Sequence, residues 1–289
     1  MKKPLSILAG FLLIFMLAAC NQTAEPVNNS QEEDKETEEV KEEKSELTLE
    51  EVFEKTTAAS EELKSFSVVM DMTQEMSSDQ EEALNMTIQS NIEMDAVTDP
   101  MAFHQKMKMA MAEGEEFETE SYFSQDGMFM HDPSSGQWMK FPQDMTDVFL
   151  QMADQQQSNP ADQLKQLEKF VDDFTFEQDD NQFILKLKAS GDKFSDFLKE
   201  TAAQSLPPEL AQDEVLNNMN ITSIDYEIYI DKKTFYPSAL NMNMEMAMTI
   251  EEQTINMKQQ MKGEYKGYNE IDAITVPQEV LDSAVEMQM

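Results

Sequence analysis

The chain has a single cysteine, and the residues before it decide its chemistry. Leu17-Ala18-Ala19-Cys20 closes an apolar run from Pro4 to Leu17 that Lys2 and Lys3 precede. A positive start, an apolar stretch too short for a stable span, and small residues leading into a cysteine are the order of a bacterial lipoprotein signal. The expected cut falls before Cys20, so residues 1–19 are a signal peptide and the Cys20 sulfur is the expected site of diacylglyceryl and palmitate-type attachment. Each buried CH₂ contributes about 0.8 kcal/mol, so two acyl chains hold a protein at a membrane that one chain would leave. The expected localisation is the cell membrane, lipid-anchored on its extracytoplasmic face. With no second cysteine, an internal disulfide framework is excluded.

Thioethers are the other unusual group, with 25 methionines in 289 residues. Many recur at every second position of alternating segments. Met242, Met244, Met246 and Met248 do so most strictly, and Met70, Met86, Met107 and Met109 fall in similar stretches. Three readings fit. The methionines fill a core, or they form a deformable apolar wall suited to a ligand of variable shape, or two or three sulfurs converge on Cu(I). A core that specifies one packing would favour Leu, Ile and Val, and no Cys or His lies within residues 242–248. The two histidines, His104 and His131, read as surface residues. There is no G-x-S-x-G, no H-E-x-x-H and no glycine-rich phosphate loop, so an enzyme is not expected, and neither a cofactor nor a metal site is implied.

Charge narrows the partners. Acidic residues number 58 against 21 basic ones, all of them lysine, for a net charge of −37. Phosphate binding needs a basic patch, so nucleic acid is not an expected partner. Anionic head groups would repel such a surface, which leaves membrane affinity to the acyl chains. The charge suits solubility in a salty or alkaline exterior. Divalent-cation binding is the other reading, and no D-x-[DN]-x-[DN]-G loop supports it.

The elements that position these groups follow from periodicity. Residues 21–46 carry ten acids and three lysines with almost no apolar side chains, so residues 20–46 read as a lipidated cysteine on an acidic disordered tether. Order is expected from Leu47, and 47–289 reads as one domain. Thr48 and Glu51 form a capping box ahead of a helix whose apolar face carries Leu49, Val52, Phe53 and Leu63. After Ser65 the period changes to 2, through Phe66–Met72, Leu84–Met94 and Met101–Met111, with one apolar and one wet face. Asp126-Gly127 and Ser135-Gly136 mark two hairpins. Two amphipathic helices are predicted next, one through Met145, Val148, Phe149 and Met152, the other through Leu164, Leu167, Phe170 and Val171. Val148, Phe149, Met152, Leu164 and Leu167 are the expected lid. A hairpin through Phe174–Leu187, a helix near Phe194 and three long strands to Tyr265 follow, then a short helix after Val276-Pro277. The fold class is α+β: a large curled antiparallel sheet with helices covering its apolar face.

Ser124-Gln125-Asp126-Gly127-Met128-Phe129-Met130-His131-Asp132-Pro133, followed by Gln137, resembles a hairpin of the LolA-like lipoprotein carriers, in which an S-x-D-G turn enters an aromatic strand and a D-P turn. The order of elements from Leu47 is also similar to that superfamily, which includes mycobacterial glycolipid-carrying lipoproteins, and to uncharacterised Gram-positive lipoproteins within it. The resemblance implies a half-barrel whose concave face, closed by helices, holds acyl chains. Two features depart from it: the carriers are untethered shuttles, and their gating arginine has no counterpart in a chain without arginine. The expected function is therefore binding of a lipid or other apolar small molecule at the cell surface. The alternative is a sensor or protein-interaction module on the same fold without cargo.

Overall fold

The computed structural model describes residues 23–26, 47–78, 85–111, 114, 116–147, 167–189, 194, 199, 219–250 and 253–287. Within them thirteen strands form one open, curled sheet. They are β1 (Glu25–Pro26), β2 (Ser65–Ser78), β3 (Met86–Thr98), β4 (Met101–Met111), β5 (Glu116–Ser124), β6 (Gly127–Asp132), β7 (Gln137–Lys140), β8 (Phe174–Gln178), β9 (Gln182–Ala189), β10 (Met219–Asp231), β11 (Pro237–Ile250), β12 (Gln253–Lys266) and β13 (Val285–Glu286). Their order across the sheet is β1-β8-β9-β10-β11-β12-β2-β3-β4-β5-β6-β7-β13. Neighbours are antiparallel except the two edge pairs, β1 with β8 and β13 with β7. The hairpin turns fall where glycine allows them: Gly127 (φ 121°) and Gly136 (φ 68°) adopt backbone that L side chains rarely enter.

Register sorts the side chains into two unlike faces. Directly opposed residues point the same way. One row therefore runs Phe174, Leu187, Tyr226, Met242, Met261, Met72, Ser90, Met109, Phe117 across nine strands. The next row over, on the other face, runs Thr175, Lys186, Glu227, Asn241, Lys262, Asp71, Asn91, Lys108, Glu118. A slip of one residue would exchange the two faces, so the contrast itself holds the register.

Helix α1 (Leu49–Glu61) begins at the Thr48–Glu51 capping box, with the Glu51 N–H donating to Thr48 Oγ1 at 3.2 Å and the Thr48 N–H to Glu51 Oε2 at 2.8 Å. Its Leu49, Val52 and Phe53 pack on Phe174, Phe176, Leu185, Leu187, Ile224 and Ile228, together with Leu167, Phe170 and Phe194. The main core thus lies under α1 at the β8–β11 end of the apolar face. The architecture is mostly β rather than a balanced α+β. Strands take up most of the described chain, five of them 13 or 14 residues long, while α1 has 13 residues and α2 (Gln278–Ser283) has six. α2 also sits on the opposite, charged face, where Val280 packs with Phe129, Tyr122 and Trp138. Residues 143–147 are helical and Glu168–Asp173 form a 3-10 turn. Of the expected lid, Leu167 is buried in the main core, while Val148, Phe149, Met152 and Leu164 lie outside the described residues.

Part of the expected tether is built into the sheet. Thr23 bridges Thr48, Glu25 and Pro26 pair with Glu177 and Gln178 of β8, and Ala24 is 1% exposed within the main core. Composition averaged over 26 residues hides this, because an edge strand's unpaired backbone can hold a short segment with only one small apolar side chain. Cys20 lies outside the described residues.

Candidate apolar binding face

Among the described residues no methionine is buried; the core is Phe, Leu, Ile and Val. The sulfurs of the strands lie on the face that carries α1, from the margin of the main core at Met242 and Met244 outward over the part α1 does not cover. Met70, Met107, Met109, Met242, Met244, Met246 and Met248 are half-buried, and Met86 is 38% exposed. Their period-2 placement, which unbranched side chains tolerate on a pleated surface, puts all eight on this one face. Register then divides them. Met242 and Met244 abut the main core. Met246, Met257, Met76 and Met86 form one cross-strand row. Met70 packs at a second small core around Phe66 and Val68.

Met107 and Met109 open onto a groove of about 320 Å³ whose wall also includes Phe117, Met130, Met139 and Met287. Met130 is expected in a hairpin but not on the wall, and neither Met139 nor Met287 is expected there. Met130 and Met139 sit in short strands flanking tight turns, and Met287 reaches the groove because its N–H donates to Lys140 O at 2.9 Å, which lays the C-terminal segment along β7. The only sequence signal for them was residue type.

From β8 to β5 the face is uncharged along its paired rows and its polar side chains are neutral; at the far edge Asp132, paired with Gln137, lies on the same face and lines the groove together with His131. Gln74 and Gln259 stand opposite one another, and their amides donate to Met257 Sδ at 3.2 Å and Met72 Sδ at 3.3 Å. Ser90 Oγ is buried between Met72 and Met109 without a hydrogen-bond partner. Tyr226 and Tyr265 share the face, and burial pushes both phenols up to about 12. Away from Asp132, such a surface offers dispersion contacts from polarisable sulfur and no fixed charge. Among the described residues no group of three His, Cys, Asp or Glu side chains is arranged to hold a metal ion.

The charged face is a different chemistry. His104 Nε2 lies 2.6 Å from Glu120 Oε1, the Tyr122 hydroxyl donates to the same oxygen at 3.1 Å, and the His104 and Tyr122 rings stack at 4.4 Å. Burial raises the Glu120 carboxyl, but the hydrogen bonds from His104 and Tyr122 and the nearby Lys106 charge outweigh it, leaving it below its usual range. Burial and Glu120 push Tyr122 up to about 12. His131 meets the edge of Trp138 at 5.4 Å. Both histidines are thus half-buried in aromatic contacts. A broad polar groove of about 610 Å³ also crosses β2–β5 among Asp71, Thr73, Gln89, Asn91, Lys108 and Glu118.

The profile of a family of unknown function, DUF6612, matches residues 48–285. The chain belongs to that family. The family assignment is therefore coarser than the LolA-like resemblance, and no LolA family is assigned. No curated protein matches the chain. Among solved structures it is similar to a β-barrel-like protein of a domain of unknown function (DUF1849) from Brucella abortus, at 10% identity over 71% of this chain and 98% of that one, with a TM-score of 0.22. An S-type phycobiliprotein lyase from Guillardia theta matches at 7% identity over 76% and 94% of the two chains, with a TM-score of 0.21. A DUF1329 family protein from Desulfovibrio piger matches at 6% identity over 78% and 94%, with a TM-score of 0.23.

Proposed function

We propose that this family member is a lipoprotein, anchored through Cys20 on the extracytoplasmic face of the cell membrane, that binds a lipid or other apolar ligand along its methionine face. One observation carries the reading: a chain of net charge −37 keeps a face of half-exposed methionines outside its core with a single carboxylate, Asp132, along its paired rows. Apolar surface left open on an otherwise charged protein marks a place where something apolar binds. The groove at Met107, Met109, Met130, Met139 and Met287 gives an acyl chain a concave seat, where each CH₂ removed from water contributes about 0.8 kcal/mol. Thioether side chains adjust to chain length and branching, so binding is broad in ligand shape. With Asp132 the one charged side chain along the face's paired rows, binding of an apolar ligand depends weakly on salt. A half-barrel sheet holding acyl chains, as in LolA-like carriers, is the finer form of this proposal.

The test is uptake of a fluorescent fatty acid by the purified domain, with mass spectrometry of lipids that copurify. Met109→Lys places an unpaired charge in the groove and should abolish uptake, whereas Met109→Leu should retain it. Absence of lipid and of uptake in the wild-type protein would count against the proposal and favour a protein partner on the same face. Cys20→Ser should release the protein from membrane fractions or leave an unprocessed precursor.

A further inference from the structure

The anchor and the fold are joined more closely than the acidic composition of residues 20–46 suggests. Thr23 is bridged to Thr48 at the N-cap of α1. Glu25 and Pro26 extend the sheet on β8, Ala24 is a member of the main core, and Gln178 Nε2 donates to Ala24 O at 3.3 Å. The chain therefore joins the domain at residue 23, leaves it after Pro26, and rejoins it at Leu47. Whatever path residues 27–46 take, both their ends are attached to the domain, so they are not in series between anchor and fold.

We infer that the surface around Thr23, Thr48 and the first turn of α1 faces the lipid bilayer, held within a few residues of Cys20, and that residues 27–46 add no reach. This rests on the lipoprotein reading above. From Cys20 to Thr23 there are three Cα steps, at most about 11 Å. A free tether reaching from Cys20 to Leu47 would instead have an r.m.s. length of about 28 Å. The exposed side chains at this end include Glu50, Asp172 and Asp173, so head-group attraction does not set the geometry. The acyl chains and the β1 pairing do. The methionine groove, across β4–β7, lies toward the other edge of the sheet from β8.

The test uses the full-length, lipidated protein in phosphatidylcholine vesicles that carry a head-group energy-transfer acceptor. A donor dye is placed at Glu50→Cys, where acylated Cys20 does not compete for label. Replacing residues 27–46 with a short Gly/Ser linker touches no described contact and should leave transfer unchanged. Ala24→Asp buries a charge where a methyl group sat; it should undock β1, and the lengthened tether should lower transfer by about twofold or more. The inference is overturned if the shortened loop raises transfer, or if Ala24→Asp leaves it unchanged. Failure of the lipoprotein reading looks different: the wild-type protein would not float with vesicles, or Cys20→Ser would float equally well.

Discussion

Tyr226 and Tyr265 show what the methionine face does to a single group. Both side chains are partly buried, and burial pushes each phenol up to about 12 from an ordinary value near 10. A raised tyrosine pKa favours the neutral form in the folded state. Its stabilising contribution is whole below about pH 10 and is lost as pH rises from there through about 12. Phenolate absorbance should accordingly show these tyrosines ionising about two units late, with unfolding following in the same window. Glu120 works in the opposite direction on the charged face. Its carboxyl lies below its usual range, so its contribution is present above about pH 4 and fades as acid titrates it through the folded value. Replacing it with glutamine should flatten the acid limb of a stability profile while leaving ligand uptake alone. Ser90 makes a third test. Its buried hydroxyl has no partner, so Ser90→Ala should be neutral or stabilise the protein by up to about 1 kcal/mol in urea unfolding.

Elements differ in what they give to stability. Phe176 and Leu185 are opposed on β8 and β9 and are fully buried beneath α1. Met246 on β11 belongs to a row of sulfurs that stays half-exposed. Truncating Phe176 to alanine should cost about 3–5 kcal/mol through the cavity it leaves, whereas Met246→Ala should cost about 1 kcal/mol. Near-equal losses in urea unfolding would mean that the methionines are core after all. The capping box was legible because its signal is local: Thr48 and Glu51 are three residues apart and need no partner elsewhere. Packing of the expected lid is not local in that sense. Leu167 went to the main core because Phe170 and Val171 beside it complete a packing site on α1 and β9 that no periodicity count includes.

The whole molecule closes both edges of its sheet with pieces from near the two ends of the chain. β1 lies along β8 and β13 along β7, each a parallel pair of two residues. A long open edge invites pairing with another chain, and short covering strands suppress it. Deleting residues 285–289 removes β13 and Met287 together. Sedimentation should then show increased self-association, and fatty-acid uptake should weaken because the groove loses one wall. An unchanged sedimentation profile would show that the β7 edge needs no cover.

By itself the sequence determined the two-faced strands, one face apolar and one wet, together with the capping box and the hairpin turns. Those features depend on the alternation of Cβ directions along a strand or on neighbours a few residues apart. Only the tertiary structure decided that the methionines are a surface rather than a core, because that depends on where α1 lies, and α1 covers the β8–β11 end. Only the register brought Met72 beside Met261, and Met109 within one groove of Met287. Pairings between segments so far apart in the chain are chosen by the loop closure and side-chain burial of the whole sheet. The docking of residues 23–26 belongs to the same class. Nothing in a short stretch amid acidic sequence announces a strand until β8 presents the edge that pairs with it.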